Sequence, residues 1–398
     1  MKSIFTFRYL LITIVSVSAF LVSCKNKGNE KNSTDLVQRE KDPNSRMTDI
    51  QGAMEYEFNM LKNPATGKIP DGIRDAELLQ AKQILEEQQL NATASRITAN
   101  PYTFQGPNNL GGRTRALAYD IRNGTSNSVI IAGGISGGIY KSTDDGATWV
   151  RKSPTGDLFN VSALAQDTRA GFRDTWYYAG GEFTGNSTSA TGASYRGKGV
   201  YKSTDNGETW TLLPASNTGV YESFDHRADY VMRIVVDPTT GNVYVAAMDA
   251  IYRSTDGGTS WSIVLTSGSA SYGTGMATDI VVTSTGRFYA AFAGTSNTLP
   301  TDMPGVWSST TGASGSWTKI AGSGSGTSPA GWQASGTYGR VVLALAPSLE
   351  SRLYAAYWNG ISYSCGAPAP EADLFRWDDG ISTWTDLSAN VPDEAGCL

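Results

Sequence analysis

The stretch Ser142-Thr143-Asp144-Asp145-Gly146-Ala147-Thr148-Trp149 decides the fold, because the chain contains two further copies of it in the same register. These copies, which together with the first are called octets below, read STDNGETW at 203–210 and STDGGTSW at 254–261. Two degenerate copies end at Trp317 and Trp384, so the closing tryptophans are spaced 61, 51, 56 and 67 residues apart. Self-similarity at such a period predicts a repeat architecture. The residues shared by the three full octets are Ser142, Asp144, Gly146, Trp149, Ser203, Asp205, Gly207, Trp210, Ser254, Asp256, Gly258 and Trp261.

Each octet has the composition of a hairpin turn. Its Asp can accept hydrogen bonds from backbone N–H groups across the bend, its Gly supplies a positive φ, and its hydroxyl groups cap the ends. A short apolar strand precedes the octet, as at 138–141, and another strand follows it, as at 210–213. A Trp that recurs at one place in every repeat is expected to fill the seam between neighbouring sheets.

Each repeat also has two strands ahead of the octet hairpin. The first is apolar and β-branched, as at 232–237, and the second ends in small residues, as at 243–247. Four antiparallel strands, repeated radially, predict an all-β fold, a β-propeller of four-stranded antiparallel blades. Five blades are visible, at about 101–155, 156–216, 217–267, 268–322 and 323–398.

The octet resembles the Asp-box (BNR) repeat of sialidases, sortilin-type receptors, two-domain xyloglucanases and photosystem assembly propellers. The resemblance implies that the octets are structural, because the box of those families lies away from the catalytic face. A ligand site in the octets is the alternative. Those families usually have more blades, so we interpret the five as the front part of a larger ring, an unusually small ring being the alternative.

The N-terminus has the features of an export signal. Lys2 and Arg8 flank an apolar run, 10–22, which is too short to span a bilayer and suits a signal peptide. The run ends in Leu21-Val22-Ser23-Cys24, which resembles a bacterial lipobox. An ordinary signal peptide followed by an incidental Cys is the alternative. We expect a signal peptide at 1–23 and a lipidated tether at 24–45, with Cys24 carrying the lipid. The expected location is the bacterial cell envelope, on the periplasmic side or the cell surface, with a lipid as the only membrane anchor.

Residues 46–100 are predicted to form a helical N-terminal segment. Apolar residues recur at helical spacing from Ile50 to Leu61, and a second helix is expected between Asp75 and Leu90. The breaker at 63–70 resembles a leader found before Asp-box propellers of exported Bacteroidetes-type proteins.

Composition restricts the partners. The 398-residue chain has a net charge of −5, one His and three Cys. Basic residues do not interleave with aromatic ones, so nucleic acid is not an expected partner. No metal-binding or cofactor-binding motif is recognisable, so neither a metal nor a cofactor is expected. If Cys24 carries lipid, a disulfide between Cys365 and Cys397 is expected in an oxidising compartment, although a longer chain could supply either Cys with another partner.

Four arginines lie at or near the start of a first strand: Arg113, Arg115, Arg233 and Arg340. Their guanidinium forks could together bind a carboxylate. The resemblance to sialidases implies an acidic sugar at such a cluster. Capping of strand ends and pairing with loop carboxylates is the alternative. The Arg-Ile-Pro signature of sialidases is missing, and Ile135 occupies the place where the resemblance to xyloglucanases implies a catalytic Asp. No catalytic residue is assigned.

The lone histidine and two tryptophans complete the candidates. His226 lies among acidic residues and could act as a general acid or base, or be a solvated loop residue. Trp332 and Trp358 belong to long aromatic loops, which can form platforms for sugars or peptides. Simple covering of the propeller face is the alternative for both rings.

The sequence therefore predicts a non-catalytic cell-envelope β-propeller that binds a glycan or protein segment through loops over its central opening. A sialidase-like glycoside hydrolase is the first alternative. A peptide-recognising assembly or secretion factor is the second, since the resemblance includes sortilin-type and photosystem assembly propellers.

Overall fold

The computed structural model describes residues 50–92, 113–123, 128–153, 160–182, 195–219, 226–266, 276–293, 303–332, 339–359 and 372–391. The predicted signal peptide, Cys24, the tether, Cys365 and Cys397 lie outside the described residues. The chain divides into two compact units, Met1–Pro70 and Asp71–Leu398.

The predicted helical segment is confirmed. Helix α1, Ile50–Leu61, belongs to the first unit, and helix α2, Ile73–Ala92, belongs to the second. A turn follows α1, in which the backbone N–H of Asn63 donates to the Lys68 carbonyl oxygen at 2.8 Å. In the second unit, Asp75 lies in the first turn of α2, where a negative charge complements the helix dipole. The Lys198 Nζ lies 3.2 Å from its Oδ1 and ties α2 to the second sheet.

The described residues after α2 contain five four-stranded antiparallel sheets, each made of four strands that are consecutive in the chain. The predicted fold class, a β-propeller with four-stranded blades, is thereby confirmed. The first sheet contains β1 (Thr114–Tyr119), β2 (Ile130–Gly134), β3 (Gly138–Ser142) and β4 (Val150–Arg151). The second contains β5 (Ala163–Gln166), β6 (Trp176–Ala179), β7 (Val200–Ser203) and β8 (Thr211–Leu212). The third contains β9 (Val231–Val236), β10 (Val243–Ala247), β11 (Ala250–Ser254) and β12 (Ser262–Thr266). The fourth contains β13 (Met276–Val282), β14 (Phe288–Ala293), β15 (Gly305–Ser309) and β16 (Thr318–Ala321). The fifth contains β17 (Val341–Leu345), β18 (Arg352–Trp358), β19 (Ala372–Asp378) and β20 (Thr383–Asp386).

The first strands of the sheets lie side by side. Strand β1 contacts β5, β5 contacts β9, β9 contacts β13, and β13 contacts β17. The start of β1 is bulged between Thr114 and Ala116, and both β9 and β13 are bulged near their starts. A bulge re-aims the side chain of the extra residue, which in β1 is Arg115.

Apolar seams join successive sheets. Between the first and second sheets, Ile131 and Ile139 pack against Trp176, Tyr178 and Trp210. Burial of each such side chain contributes roughly 1.5–3 kcal/mol. Equivalent clusters fill the seams between the second and third, the third and fourth, and the fourth and fifth sheets.

The octets are the hairpin turns that their composition predicts. The Ser142 Oγ donates to Asp144 Oδ1 and accepts from the Gly146 N–H, both at 2.8 Å. Asp144 in turn accepts from the N–H and the hydroxyl of Thr148, at 2.8 and 2.6 Å. The second and third octets repeat these bonds. In the third, hydrogen bonds from Ser260 and Ser254 lower the pKa of Asp256 to about 2.

The octet glycines press against the preceding sheet. A Cβ on Gly207 would lie 2.6 Å from the Ile131 Cδ1, and one on Gly258 would lie 2.3 Å from the Leu213 Cδ1. Both glycines also have a positive φ, 77° and 98°. A larger residue fits neither the seam nor the backbone conformation.

The closing tryptophans fill seams, with one exception. Trp210 is only 7% exposed in the first seam, and Trp261 packs in the second. Trp149, in contrast, is 41% exposed and lies against Gly146 of its own octet. The seam prediction is therefore wrong for Trp149, because none of the described sheets precedes the first one.

Candidate functional site

The long connections of the sheets emerge where the first strands begin. The described parts of connections 180–199, 213–230 and 322–340 lie at this end, and the octet turns lie at the other end. Loops on a rigid scaffold commonly carry binding sites. The candidate arginines all lie at this end, although parts of the predicted aromatic loops fall outside the described residues.

Two of the predicted arginines converge on a buried acid. Glu182 lies just past β6 and is fully buried. Its Oε2 is 2.5 Å from the Arg113 Nη2, and its Oε1 is 2.7 Å from the Arg115 Nε. Burial raises the pKa of the Glu182 carboxyl, and the charges of Arg115 and Arg113 offset only part of that rise. The sequence predicted the arginines but not their partner.

Backbone contacts hold Glu182 in place. Glu182 and Tyr195 exchange two backbone hydrogen bonds, of 2.7 and 2.9 Å. The Arg113 guanidinium carbon lies 5.9 Å from the centre of the Tyr195 ring, within the range of a cation–π contact. The carboxylate is thereby fixed against the first sheet.

Two glycines just before Glu182 allow the backbone to pass close to neighbouring parts of the chain. A Cβ on Gly180 would lie 1.8 Å from the Asn160 Oδ1, and one on Gly181 would lie 2.1 Å from the Asp229 carbonyl oxygen. Gly181 also has a φ of 101°, a conformation that other residues rarely adopt. The Gly-Gly pair before Glu182 is the signal in the sequence that could have indicated a close backbone approach here.

His226 caps a short helix. Its Nδ1 accepts from the Ala228 N–H at 3.0 Å, and its own N–H donates to Asp229 Oδ2 at 3.0 Å. Together these bonds form a capping box on the 3-10 helix Arg227–Asp229. The structure thus shows His226 as the N-cap residue of this helix. As a candidate general acid or base, His226 remains untested.

Arg233 and Arg340 lie further along the same end. The Arg233 Nε is 3.5 Å from Asp279 Oδ1. Asp279 is buried, which raises its pKa, and it accepts from the N–H groups of Ile280 and Leu343 at 2.9 Å. The bond from Leu343 links the fourth sheet to the fifth. Arg340 immediately precedes β17 and is half-buried.

The two candidate tryptophans differ in their surroundings. Trp332 is buried, and its ring centre lies 4.6 Å from that of Tyr357 and 5.2 Å from that of Phe375. It is a core residue of the seam between the fourth and fifth sheets, which corrects the interpretation of this ring as an exposed platform. Trp358 is half-buried at the end of β18, where a ring could still meet a ligand.

Charges of opposite sign differ in their access to solvent at this end. The carboxylates of Glu182, Asp229, Asp249 and Asp279 are all buried. The side chains of Arg113, Arg115 and Arg233 are 24%, 26% and 51% exposed. Within this set of residues, the arginines are therefore the charges with access to solvent, although Asp386 at the end of β20 is an exposed carboxylate at the same end.

Comparison with known proteins gives a structural likeness alone. No family model matches the chain, and no curated protein matches its sequence. Among solved structures, an ancestral GH74 enzyme is 18% identical, with a TM-score of 0.47 over 71% of this chain and 32% of that one. The GH74 xyloglucanase from Xanthomonas campestris is 18% identical, with a TM-score of 0.40 over 70% and 45%. YCF48 bound to D1 peptide is 13% identical, with a TM-score of 0.33 over 71% and 83%. The chain thus spans less than half the length of the two GH74 enzymes, and these likenesses assign neither a family nor an activity.

The part of the chain that the structure describes contains two α-helices. None of its helices combines the length and apolar character needed to cross a bilayer. In the same residues, no group of three or more His, Cys, Asp or Glu side chains is placed to hold a metal ion.

Proposed function

We propose that this chain is a non-catalytic recognition protein of the cell envelope that binds an anionic group of a glycan or a protein segment. The binding site is the inner-edge cluster, defined as Arg113, Arg115, Glu182, Arg233, Asp279 and Arg340. The observation that carries the proposal is that the cluster's carboxylates are buried while its arginines reach solvent.

The chemistry of the exposed groups favours a carboxylate or a similar planar anion. A guanidinium presents five N–H donors in a fixed fork, which matches two acceptor oxygens. Arg115 uses its Nε for Glu182, and none of the other described residues is shown paired with the rest of its fork. Long connections at the same end, such as 322–340, would add contacts to the remainder of the ligand.

The same observation argues against hydrolysis at this site. A glycosidase of the usual kind needs two carboxyl groups that flank the scissile bond. Glu182 is buried beneath two guanidinium groups, and Asp279 is held by two backbone N–H groups. Ile135, at the position where the xyloglucanase likeness implies an acid, is a buried apolar residue.

The proposal includes a location at the cell envelope, with the protein anchored to a membrane by a lipid. A signal peptide at 1–23, a lipid on Cys24 and a tether at 24–45 would hold the propeller at a membrane surface. Metabolic labelling with a fatty-acid analogue tests this directly, since Cys24→Ser should abolish the label.

Binding arrays test the recognition itself. Sialyllactose, oligogalacturonate and Asp-rich peptides are offered together with asialo, methyl-ester and Asn counterparts. We expect retention of acidic probes only, and a loss of about tenfold or more in affinity for Arg233→Gln. Arg352→Gln is the matched control, because Arg352 is comparably exposed but lies at the octet end of the fifth sheet. Equal binding of acidic and neutral probes would contradict the proposal.

A sialidase-like hydrolase is the second candidate, favoured by the convergence of two arginines, a glutamate and the Tyr195 ring. Turnover of a fluorogenic sialoside by the parent chain, abolished by Arg113→Gln, would establish it. The peptide arm of the array addresses the third candidate, a peptide-recognising assembly or secretion factor.

A further inference from the structure

Glu182 places a negative charge directly behind the arginines that face solvent. Each of its oxygens is engaged by a different guanidinium, at 2.5 and 2.7 Å. While it is ionised, it cancels one of the two positive charges that a ligand would meet. We propose that Glu182 is an internal counter-ion, so that the inner-edge cluster takes up a proton as it binds a carboxylate ligand and binds more tightly in mildly acidic medium. This inference rests on the proposed function, because it names the regulation of the same site.

Geometry leaves room for both anions. The ion pairs engage one nitrogen of Arg113 and one of Arg115, and a guanidinium has three nitrogens. Both side chains are partly exposed, whereas Glu182 is fully covered. The Nε and Nη2 of Arg113 are buried, so a ligand carboxylate would approach the Nη1 of Arg113 and the Nη groups of Arg115 while Glu182 keeps its own contacts.

Electrostatics then couples the two carboxyl groups. A ligand carboxylate held by the same guanidiniums is a like charge close to Glu182, and like charges disfavour ionisation. Burial already raises the pKa of Glu182 above its ordinary value in the free protein. Ligand binding raises it further, so the bound state holds more of the proton than the free state does.

The sign of the pH dependence follows from linkage. Because the complex binds more protons than the free protein, the affinity rises as the pH falls. One coupled group changes the affinity by at most about tenfold per pH unit. Because the pKa of Glu182 is raised, the window lies above the ordinary glutamate pKa.

Several other charged or titratable groups belong to the elements packed around Glu182. Arg113 and Arg115 come from the first sheet, and their charges act on the Glu182 carboxyl. Tyr195 pairs with the Glu182 backbone, and Arg196 follows it. Asp229 belongs to the adjacent 3-10 helix, and its carbonyl oxygen accepts from the Gly197 N–H at 2.7 Å. Asp229 is thus a further carboxyl group on a neighbouring element, so the test must isolate Glu182.

Glu182→Gln keeps the shape of the side chain and removes its charge and its proton. Binding of sialyllactose, oligogalacturonate and an Asp-rich peptide is measured at pH 5.5 and pH 7.5, for this variant and for the parent. We expect the parent to bind several-fold more tightly at the lower pH. The variant should bind with similar affinity at both, close to the affinity of the parent at the lower pH. Glu208→Gln is the matched control, since it also removes one carboxylate but lies in the second octet, paired with Lys141 and Lys152.

The outcomes separate this inference from the proposed function. If the parent binds no acidic probe at either pH, both fail. If the parent binds and Glu182→Gln retains the same dependence on pH, only the coupling is wrong. Should Glu182→Gln not fold, calorimetry of the parent in two buffers of different ionisation enthalpy decides the matter. Uptake of up to about one proton on binding supports the coupling, and no uptake overturns it.

Discussion

At the scale of single residues, two glycines set the geometry of the candidate site. Gly180 and Gly181 let the chain pass within contact distance of Asn160 and the Asp229 carbonyl, and this passage delivers Glu182 to the arginines. The site therefore depends on residues that contribute no side chain to it.

Gly181→Ala should destabilise the fold by about 2–4 kcal/mol, because the new methyl group would lie 2.1 Å from a backbone oxygen at a φ of 101°. Chemical denaturation monitored by circular dichroism measures the change. Gly171→Ala is the matched control, since Gly171 has a φ of 84° with nothing within 4 Å of the added Cβ. That control should cost about 1 kcal/mol for backbone conformation alone. Equal losses would show that the close approach to Asp229 is unimportant.

The sequence predicts the arginines of the site better than their partner. Arg113 stands just before an apolar strand and Arg115 near the start of it, and a local pattern can locate such a strand. Glu182 meets them through a contact between different sheets, and local patterns carry no information about such a contact. Trp332 shows the opposite error, because its Gly- and Ser-rich neighbours suggest an exposed loop, whereas Tyr357 and Phe375 cover it.

At the scale of the secondary-structure elements, the octet hairpin is the unit of construction. Its bonds join residues only two to four positions apart, as between Ser142 and Asp144 or Asp144 and Thr148. Such local chemistry explains why the sequence predicts the turns and their flanking strands well. The octet does not specify, however, whether its tryptophan has a preceding sheet to pack against.

Trp210→Ala should lower the free energy of unfolding by about 3–5 kcal/mol, because it empties a packed seam. Trp149→Ala, at the same place in its octet but 41% exposed, should cost about 1 kcal/mol or less. Both variants lose the same hydrogen bond from the indole N–H to the octet glycine carbonyl, of 3.2 Å in one and 2.9 Å in the other. Denaturant titration gives the free energy of unfolding of both variants. Because both lose the same hydrogen bond, the difference between them reports the packing of the tryptophan in the seam. A loss for Trp149→Ala as large as that for Trp210→Ala would mean that a further neighbour covers the first octet.

At the scale of the whole molecule, stability is distributed along a row of sheets. The third and fourth sheets have a neighbour on both faces, and every residue of β10 and β14 is buried. In the first sheet, Ala116 is the single buried residue of β1, and Leu117 and Tyr119 are open to solvent. Repeat proteins of this kind owe their stability to contacts between nearest neighbours.

Amide hydrogen exchange should therefore be graded along the row. We expect amides of β10 and β14 to exchange at least about tenfold more slowly than those of β2 and β3, because opening an inner sheet disrupts two seams. Mass spectrometry of peptic peptides measures this grading. Uniform protection from the first sheet to the fifth would show that the first sheet also has two neighbours.

The contacts of the second and third octet glycines make the order of the sheets directional, because each of these glycines packs on the sheet that precedes its own. Gly207 and Gly258 fit only against a surface shaped to receive them, at Ile131 and Leu213. A duplicated module inserted between existing ones would carry both parts of this contact. It would have an octet glycine on one face and an apolar side chain to receive the next glycine on the other. Lengthening of the chain by whole modules would therefore keep the direction of this contact, whereas reversal of a module would remove it.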